Sequence, residues 1–227
     1  MRGRKWCLAV AVLMLASVSA CVYIHEGQHH YPSQVRYTLA PATGGFEPLF
    51  NGKDLTGLST EGNWVVKKGG VLGIEPRSGE EGWKRFEDYL WTKKKYGDFV
   101  LDLEFKIPPE GNSGVFFRVA DRDNPVEEGI EVQINDVHGK EEVGPHDCGG
   151  VIGAVGPSNN MAKPAGEWNH MVITCRGNEL HVSLNGVKVV DVDLSETSQK
   201  DRPPKGYIGL QDHGLNAYFR NVMIKEL

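Results

Sequence analysis

Phe99-Val100-Leu101-Asp102-Leu103-Glu104-Phe105-Lys106-Ile107 alternates from end to end, with Phe99, Leu101, Leu103, Phe105 and Ile107 on one side and Asp102, Glu104 and Lys106 on the other. Pro108-Pro109 then stops the run. Successive side chains of a strand point to opposite faces, so a period of two reads as a half-buried β-strand. The same grammar continues outward. Trp64-Val65-Val66 and Val71-Leu72-Gly73-Ile74 flank Lys67-Lys68-Gly69-Gly70, and Leu180 to Leu184 meets Val187 to Val192 across Asn185-Gly186. An Asn-Gly pair suits a type I′ hairpin, whose two central residues both need positive φ.

No stretch of twelve or more residues has the period of an amphipathic helix, and Lys84 to Tyr89 makes one turn at most. Many short strands, 28 glycines and frequent turn signals predict an all-β, two-sheet antiparallel sandwich or a barrel. The absence of a fixed internal repeat speaks against a propeller or solenoid.

Residues 1–20 are expected to be a signal segment rather than part of the fold. Arg2, Arg4 and Lys5 precede an apolar stretch from Trp6 to Ala16, which is too short to span a bilayer. Val18-Ser19-Ala20-Cys21 resembles a bacterial lipobox, which makes Cys21 the expected lipidation site and new N-terminus of an exported protein held to a membrane by its lipid alone. The alternative is an ordinary secretory signal with an incidental cysteine. Residues 21–45 carry His25, His29, His30, Pro32 and Pro41 with no sustained apolar period, and read as a flexible tether to a domain over 46–227. Removing residues 1–20 takes away three basic groups and no acidic one, so the formal charge moves from −5 to −8. Nucleic acid is therefore not an expected partner. Cys148 and Cys175 then remain. Export permits a disulfide between them, two buried thiols are an equally good reading, and neither a disulfide framework nor a zinc site can be built from two.

Strands of a sandwich bury one face, so their alternate polar residues describe its outer surface. In Ile130 to Asp136 the isoleucines and valine turn inward and Glu131, Gln133 and Asn135 outward. In Asn112 to Val119, Arg118 is outward if Val115, Phe117 and Val119 are core. In Tyr207 to His213, Ile208 and Leu210 are inward, leaving Tyr207, Gln211 and His213 outward. Asp102, Glu104 and Lys106 read as ordinary solvated positions, whereas Glu131, Gln133, Arg118 and His213 bring acid, amide, guanidinium and imidazole together as a candidate site.

There is no Gly-x-Ser-x-Gly elbow, P-loop, His-Glu-x-x-His helix or dinucleotide fingerprint. Asp121, Asp123 and Asn124 lack the glycine and terminal glutamate of an EF-hand and read as a polar loop. His138, His146 and Asp147 lie on a Gly-rich connection able to close over a site.

Seven ordered motifs carry a family resemblance: Phe50-Asn51-Gly52-Lys53-Asp54-Leu55-Thr56-Gly57, Asn112-Ser113-Gly114-Val115-Phe116-Phe117-Arg118, Glu131-Val132-Gln133-Ile134, Lys163-Pro164-Ala165-Gly166-Glu167-Trp168-Asn169, Leu184-Asn185-Gly186, Gly209-Leu210-Gln211-Asp212-His213-Gly214 and Phe219-Arg220-Asn221. Together they resemble the 3-keto-disaccharide hydrolase domain family from about Phe46 to Leu227. The resemblance implies a concanavalin-A-like jelly roll and a substrate already oxidised to a ketone at the third sugar carbon by a separate oxidoreductase. The segment His146-Asp147-Cys148-Gly149-Gly150 departs from the small-residue stretch expected there, which leaves its loop geometry and the substrate range open. Laminarinase-type relatives of the fold place two catalytic glutamates on one strand. Here that strand reads Glu131-x-Gln133-x-Asn135, one carboxylate where a retaining glycosidase needs a pair.

One carboxylate suffices for a ketone. The carbonyl acidifies the hydrogen on the second carbon, its removal gives an enolate, the aglycone leaves from the first carbon and water adds later. That scheme needs a base, an electrophile for the enolate oxygen and an acid. Glu131 or His213 is the expected base and Arg118 the electrophile, with Asn112, Gln133, Gln211, Asp212 and Tyr207 binding substrate. A divalent metal ion on Glu131, His138, His146 or His213 is the alternative electrophile. Two other readings stand beside the enzyme: a non-catalytic carbohydrate-binding surface using aromatics such as Tyr207, Trp83 and Trp91, and a structural module with no ligand. Convergence of Glu131, Arg118 and His213 in one pocket separates the first from the others.

Overall fold

The computed structural model describes residues 44–227; the expected signal segment, Cys21 and nearly all of the tether lie outside the described residues. Thirteen strands follow one another: β1 (Glu47–Pro48), β2 (Leu58–Ser59), β3 (Trp64–Lys67), β4 (Val71–Ile74), β5 (Leu90–Thr92), β6 (Phe99–Lys106), β7 (Asn112–Val119), β8 (Ile130–Asn135), β9 (Asn169–Arg176), β10 (Glu179–Leu184), β11 (Val187–Asp193), β12 (Tyr207–Leu210) and β13 (Tyr218–Glu226). The helical residues among them are one turn of α-helix at Pro125–Glu128 and 3₁₀ turns at Phe86–Asp88 and Leu194–Glu196.

The strands form two antiparallel sheets. The larger has eight strands in the order β11-β10-β9-β6-β13-β4-β3 with β1 paired to β13, and the smaller has five in the order β2-β5-β12-β7-β8. The chain crosses from one sheet to the other at most of its links, while β3–β4, β7–β8, β9–β10 and β10–β11 pair as neighbours within a sheet. The β10–β11 hairpin turns at Asn185 (φ 52°) and Gly186 (φ 86°), as the Asn-Gly pair predicts.

Phe99, Leu101, Leu103 and Phe105 of β6 are at most 1 % exposed and pack in one core with Val115 and Phe117 of β7, Ile130, Val132 and Ile134 of β8, and Ile208 and Leu210 of β12. Each such side chain contributes roughly 1.5–3 kcal/mol by leaving water, and that gain holds the two sheets face to face. Cys148 and Cys175 are free thiols buried in the same core. Burial pushes the first up to about 12 and the second up to about 11, so both stay protonated and act as small apolar groups.

The free edge of β8 is covered by the segment that departs from the family pattern. Gln133 N–H donates to Gly150 O (2.9 Å), Gly149 N–H to Gln133 O (2.9 Å) and Ile152 N–H to Glu131 O (3.0 Å). Asp147, at the root of this loop, accepts from Lys140 Nζ and from the Gly144 N–H, each at 2.7 Å, so it braces the loop.

Two β-bulges re-aim side chains. Arg118 (φ 53°) sits where the β7–β12 register shifts between Tyr207 and Gly209, and Asn221 (φ 50°) where β13 slips against β6. An extra residue on one strand reverses the in–out alternation beyond it. The expectation that Arg118 faces outward with Val119 in the main core is therefore not met. Val119 packs on the outer face with Tyr89, Trp91 and Phe116. Arg118, 3 % exposed, instead donates from Nη2 to Gly177 O (2.7 Å) and to Asp98 Oδ1 (3.4 Å), tying the smaller sheet to the β9–β10 turn of the larger.

Candidate functional site

The register of the smaller sheet lays one row of residues across all five strands: Ser59 opposite Trp91, Trp91 opposite Gly209, Gly209 opposite Phe116, and Phe116 opposite Glu131. Two glycines make the row possible. A Cβ on Gly209 would stand 2.3 Å from the Trp91 ring, and one on Gly114 would stand 2.2 Å from Glu131 Oε1. The indole therefore lies flat over β12, and the Glu131 carboxylate folds over β7.

Glu131 is half-buried and accepts one hydrogen bond, from Gln211 Nε2 at 3.2 Å. Among the described residues it forms no ion pair. Burial without a compensating cation pushes its carboxyl up to about 8. Gln211 follows β12, pairing with β7 through its N–H to Gly114 O (2.9 Å), so it reaches Glu131 from the next strand but one. Gln133 belongs to the same face, opposite Gly114, and Asn112 and Asn135 close that end of the sheet as a cross-strand pair. The sequence placed Glu131, Gln133 and Gln211 on one surface, and the sheet order brings them together with Asn112.

The cation of this surface is one that the sequence pattern did not reveal. Arg85 lies just before the 3₁₀ turn, on a segment that crosses the outer face, and its Nη2 donates to Asp212 Oδ1 at 3.1 Å. Asp88 takes a second N–H of the same guanidinium. Asp212 is 1 % exposed and also accepts the Gly214 N–H (2.7 Å). Burial raises its carboxyl above the ordinary value against the pull of these donors. It holds Arg85 and the turn after β12, a positioning task more than a surface contact. Tyr89 stands between these groups: its hydroxyl donates to Trp83 O (2.7 Å), lies beside Gln211 and feels the charges of Glu131, Asp212 and Arg85. Desolvation raises its phenol far above the usual range. Arg85 Nε, Gln211 Oε1 and Asp212 Oδ2 are buried polar atoms with no hydrogen-bond partner among the described residues. Such atoms cost about 1–3 kcal/mol each if left without a partner.

Residues 45–225 match the family described as the 3-keto-alpha-glucoside-1,2-lyase-like domain. The chain belongs to this family. A relative from Bacteroides thetaiotaomicron, named 3-keto-disaccharide hydrolase, is 29 % identical over an alignment that takes in 81 % of this chain and 79 % of that one. A crystal structure from Parabacteroides distasonis, provisionally named a glycosyl hydrolase, is 33 % identical, with TM-score 0.68 over 80 % of this chain and 99 % of that one. The carbohydrate-binding module CBM66 from Bacillus subtilis, 18 % identical, with TM-score 0.53 over 75 % of this chain and 96 % of that one, shares the fold.

Within this 3-keto-glucoside lyase-like domain the other expected site residues are dispersed. Arg118 is on the far side of its bulge. Tyr207 lies one row away, its ring 4.6 Å from the Arg122 guanidinium and 4.7 Å from Lys95 Nζ. His213 is half-buried on the segment leaving β12, with its carbonyl accepting from the Gly82 N–H (3.1 Å), and no hydrogen bond joins it to Glu131. His138 Nδ1 is 2.9 Å from Ala162 O, and His146 is exposed on the braced loop. Among the described residues no three His, Cys, Asp or Glu side chains are grouped to hold a metal ion, so Glu131, His138, His146 and His213 do not form a joint ligand set. Tyr89 and Trp91 were legible in principle, because they alternate with Leu90 and Thr92. Arg85 was not, since it stands in a loop with no period.

Proposed function

We propose that this protein cleaves 3-keto-glycosides at the Glu131 end of the smaller sheet's outer face, by proton abstraction beside the ketone. The observation that carries the proposal is the setting of Glu131: one desolvated carboxylate over Gly114, held by one neutral amide and free of any cation. The family description and the names of the relatives support a sugar-cleaving reaction on an oxidised glycoside.

Glu131, once ionised, takes the proton from the second carbon, and its raised pKa makes it a stronger base than an ordinary carboxylate. The electron pair moves towards the ketone oxygen, where Arg85, oriented by Asp212, stabilises the enolate in place of the distant Arg118. Collapse of the enolate breaks the bond from the first carbon to the aglycone oxygen. His213, on the segment that carries Gln211 and Asp212, donates the proton to that oxygen. Water then adds to the unsaturated keto-sugar. Gln211, Gln133 and Asn112 orient hydroxyls. On this reading a separate oxidoreductase supplies the ketone.

The test is a substrate pair. The protein is expected to cleave a 3-keto-glucoside and leave the parent glucoside intact, and to incorporate solvent deuterium at the second carbon of material that reprotonates there. Cleavage of the parent glucoside at a comparable rate, or saccharide binding with no cleavage of any keto-glycoside, would overturn the proposal and favour a binding surface.

A further inference from the structure

The Ser59 end of the same five-strand row opens into a cleft of about 290 Å³ that the reaction above does not use. Four strand spacings separate it from Glu131, roughly 19 Å along the sheet. The way between is sealed, for Trp91 is 3 % exposed, Phe116 1 % and Tyr89 0 %. A ligand in the cleft is therefore not a continuation of one bound at Glu131.

The lining has a definite chemistry. Arg122 is half-buried and fixed twice, by a hydrogen bond from Nη1 to Ser59 Oγ (3.1 Å) and by its stack on Tyr207. That leaves the other N–H groups of its guanidinium without a hydrogen bond among the described residues. Glu61, Glu87 and Asp123 stand around it exposed, and none has a side-chain hydrogen bond or ion pair among the described residues. Phe86 and the edge of Trp91 supply apolar wall.

We infer that this cleft is a second binding site, for one uncharged, polyhydroxylated ring of about hexose size. Hydroxyl hydrogens donate to the three carboxylates, the Arg122 guanidinium donates to hydroxyl oxygens, and the carbon-bound hydrogens of one ring face rest on the aromatic edge. Three carboxylates against one guanidinium repel an anion, and an apolar ligand would strip water from those carboxylates without replacing their hydrogen bonds. The inference is independent of the chemistry assigned to Glu131.

The experiment follows the indole N–H of Trp91 by NMR, assigned through a Trp91→Phe variant, while neutral mono- and disaccharides, inorganic phosphate and calcium chloride are added separately. A saturable shift with a neutral saccharide is expected. Arg122→Ala should weaken it tenfold or more, the exposed Glu87→Gln should weaken it several-fold without threatening the fold, and Gln211→Ala, which takes a hydroxyl-orienting amide out of the Glu131 site, should leave it unchanged. A response to phosphate or calcium but to no sugar overturns the inference. So does a sugar response that survives both Arg122→Ala and Glu87→Gln, or one abolished by Gln211→Ala.

Discussion

Glu104 and Glu131 occupy alternate positions on strands of the two sheets, both on outer faces, yet their surroundings are opposite. Glu104 accepts from Arg220 Nε (2.9 Å), Arg220 Nη2 (3.1 Å) and the Asn221 amide, and Arg220 itself stacks 4.1 Å from the Trp168 ring. Its neighbour Asp102 is paired with His170 (2.8 Å), whose imidazole it holds above the ordinary pKa. Glu131 has one amide donor and no cation. The two bulges contribute: the slip at Asn221 adds its amide to the directly paired Arg220 on Glu104, and the slip at Arg118 turns that cation off the outer face that carries Glu131. One face neutralises its charges within the protein, and the other leaves a base with its charge uncompensated.

The largest expected effect breaks that comparison outright. Glu131→Gln keeps the shape and the bond to Gln211 but removes the base, and should lower 3-keto-glucoside turnover by on the order of a hundredfold or more with little loss of binding. Glu104→Gln should leave turnover of the folded enzyme within about threefold. Equal losses in the two variants, measured at saturating substrate, would remove the distinction between the faces.

Next come the two arginines. Arg85→Ala should cut kcat by roughly ten- to a hundredfold, as expected of a donor aimed at developing negative charge. Arg118→Ala should act on stability, by about 1–3 kcal/mol, because it removes the buried guanidinium whose hydrogen bond to Gly177 O ties the two sheets together. Urea melts and kinetics on both proteins check the assignment, and a kcat loss in Arg118→Ala alone would reverse it.

The smallest effect is in pH. Glu131 must be ionised to act, so kcat/KM should climb as pH rises through about 8. Stability runs the other way. A carboxyl raised from 4.5 to about 8 on folding keeps its full stabilising effect below about 4.5 and loses it as pH rises through about 8. Glu131→Gln has no such loss, so its stability relative to wild type should rise between pH 5 and pH 9. Coincident melts for the two proteins at pH 5 and pH 9 would contradict the buried, unpaired carboxylate.

What the sequence determined by itself was everything that rests on local period and local turn chemistry. Phe99 to Ile107 could only be a half-buried strand, Asn185-Gly186 could only be a tight hairpin, and Glu131 and Gln133 had to share a face because Ile130, Val132 and Ile134 claim the other. The same logic failed at Arg118, because a single residue in the left-handed region reverses the alternation and nothing in an arginine announces it. Strand order was also beyond reach: that β12 lies between β5 and β7, bringing Gln211 to Glu131 and Trp91 to Gly209, depends on which strands bury each other's apolar faces across a long chain. Arg85 joined the site in the same way, through a loop whose place is set by Asp212, 127 residues later in the chain. A periodic pattern specifies a face, but the neighbours on that face are chosen by long-range packing, and the neighbours decide which carboxylate becomes a base.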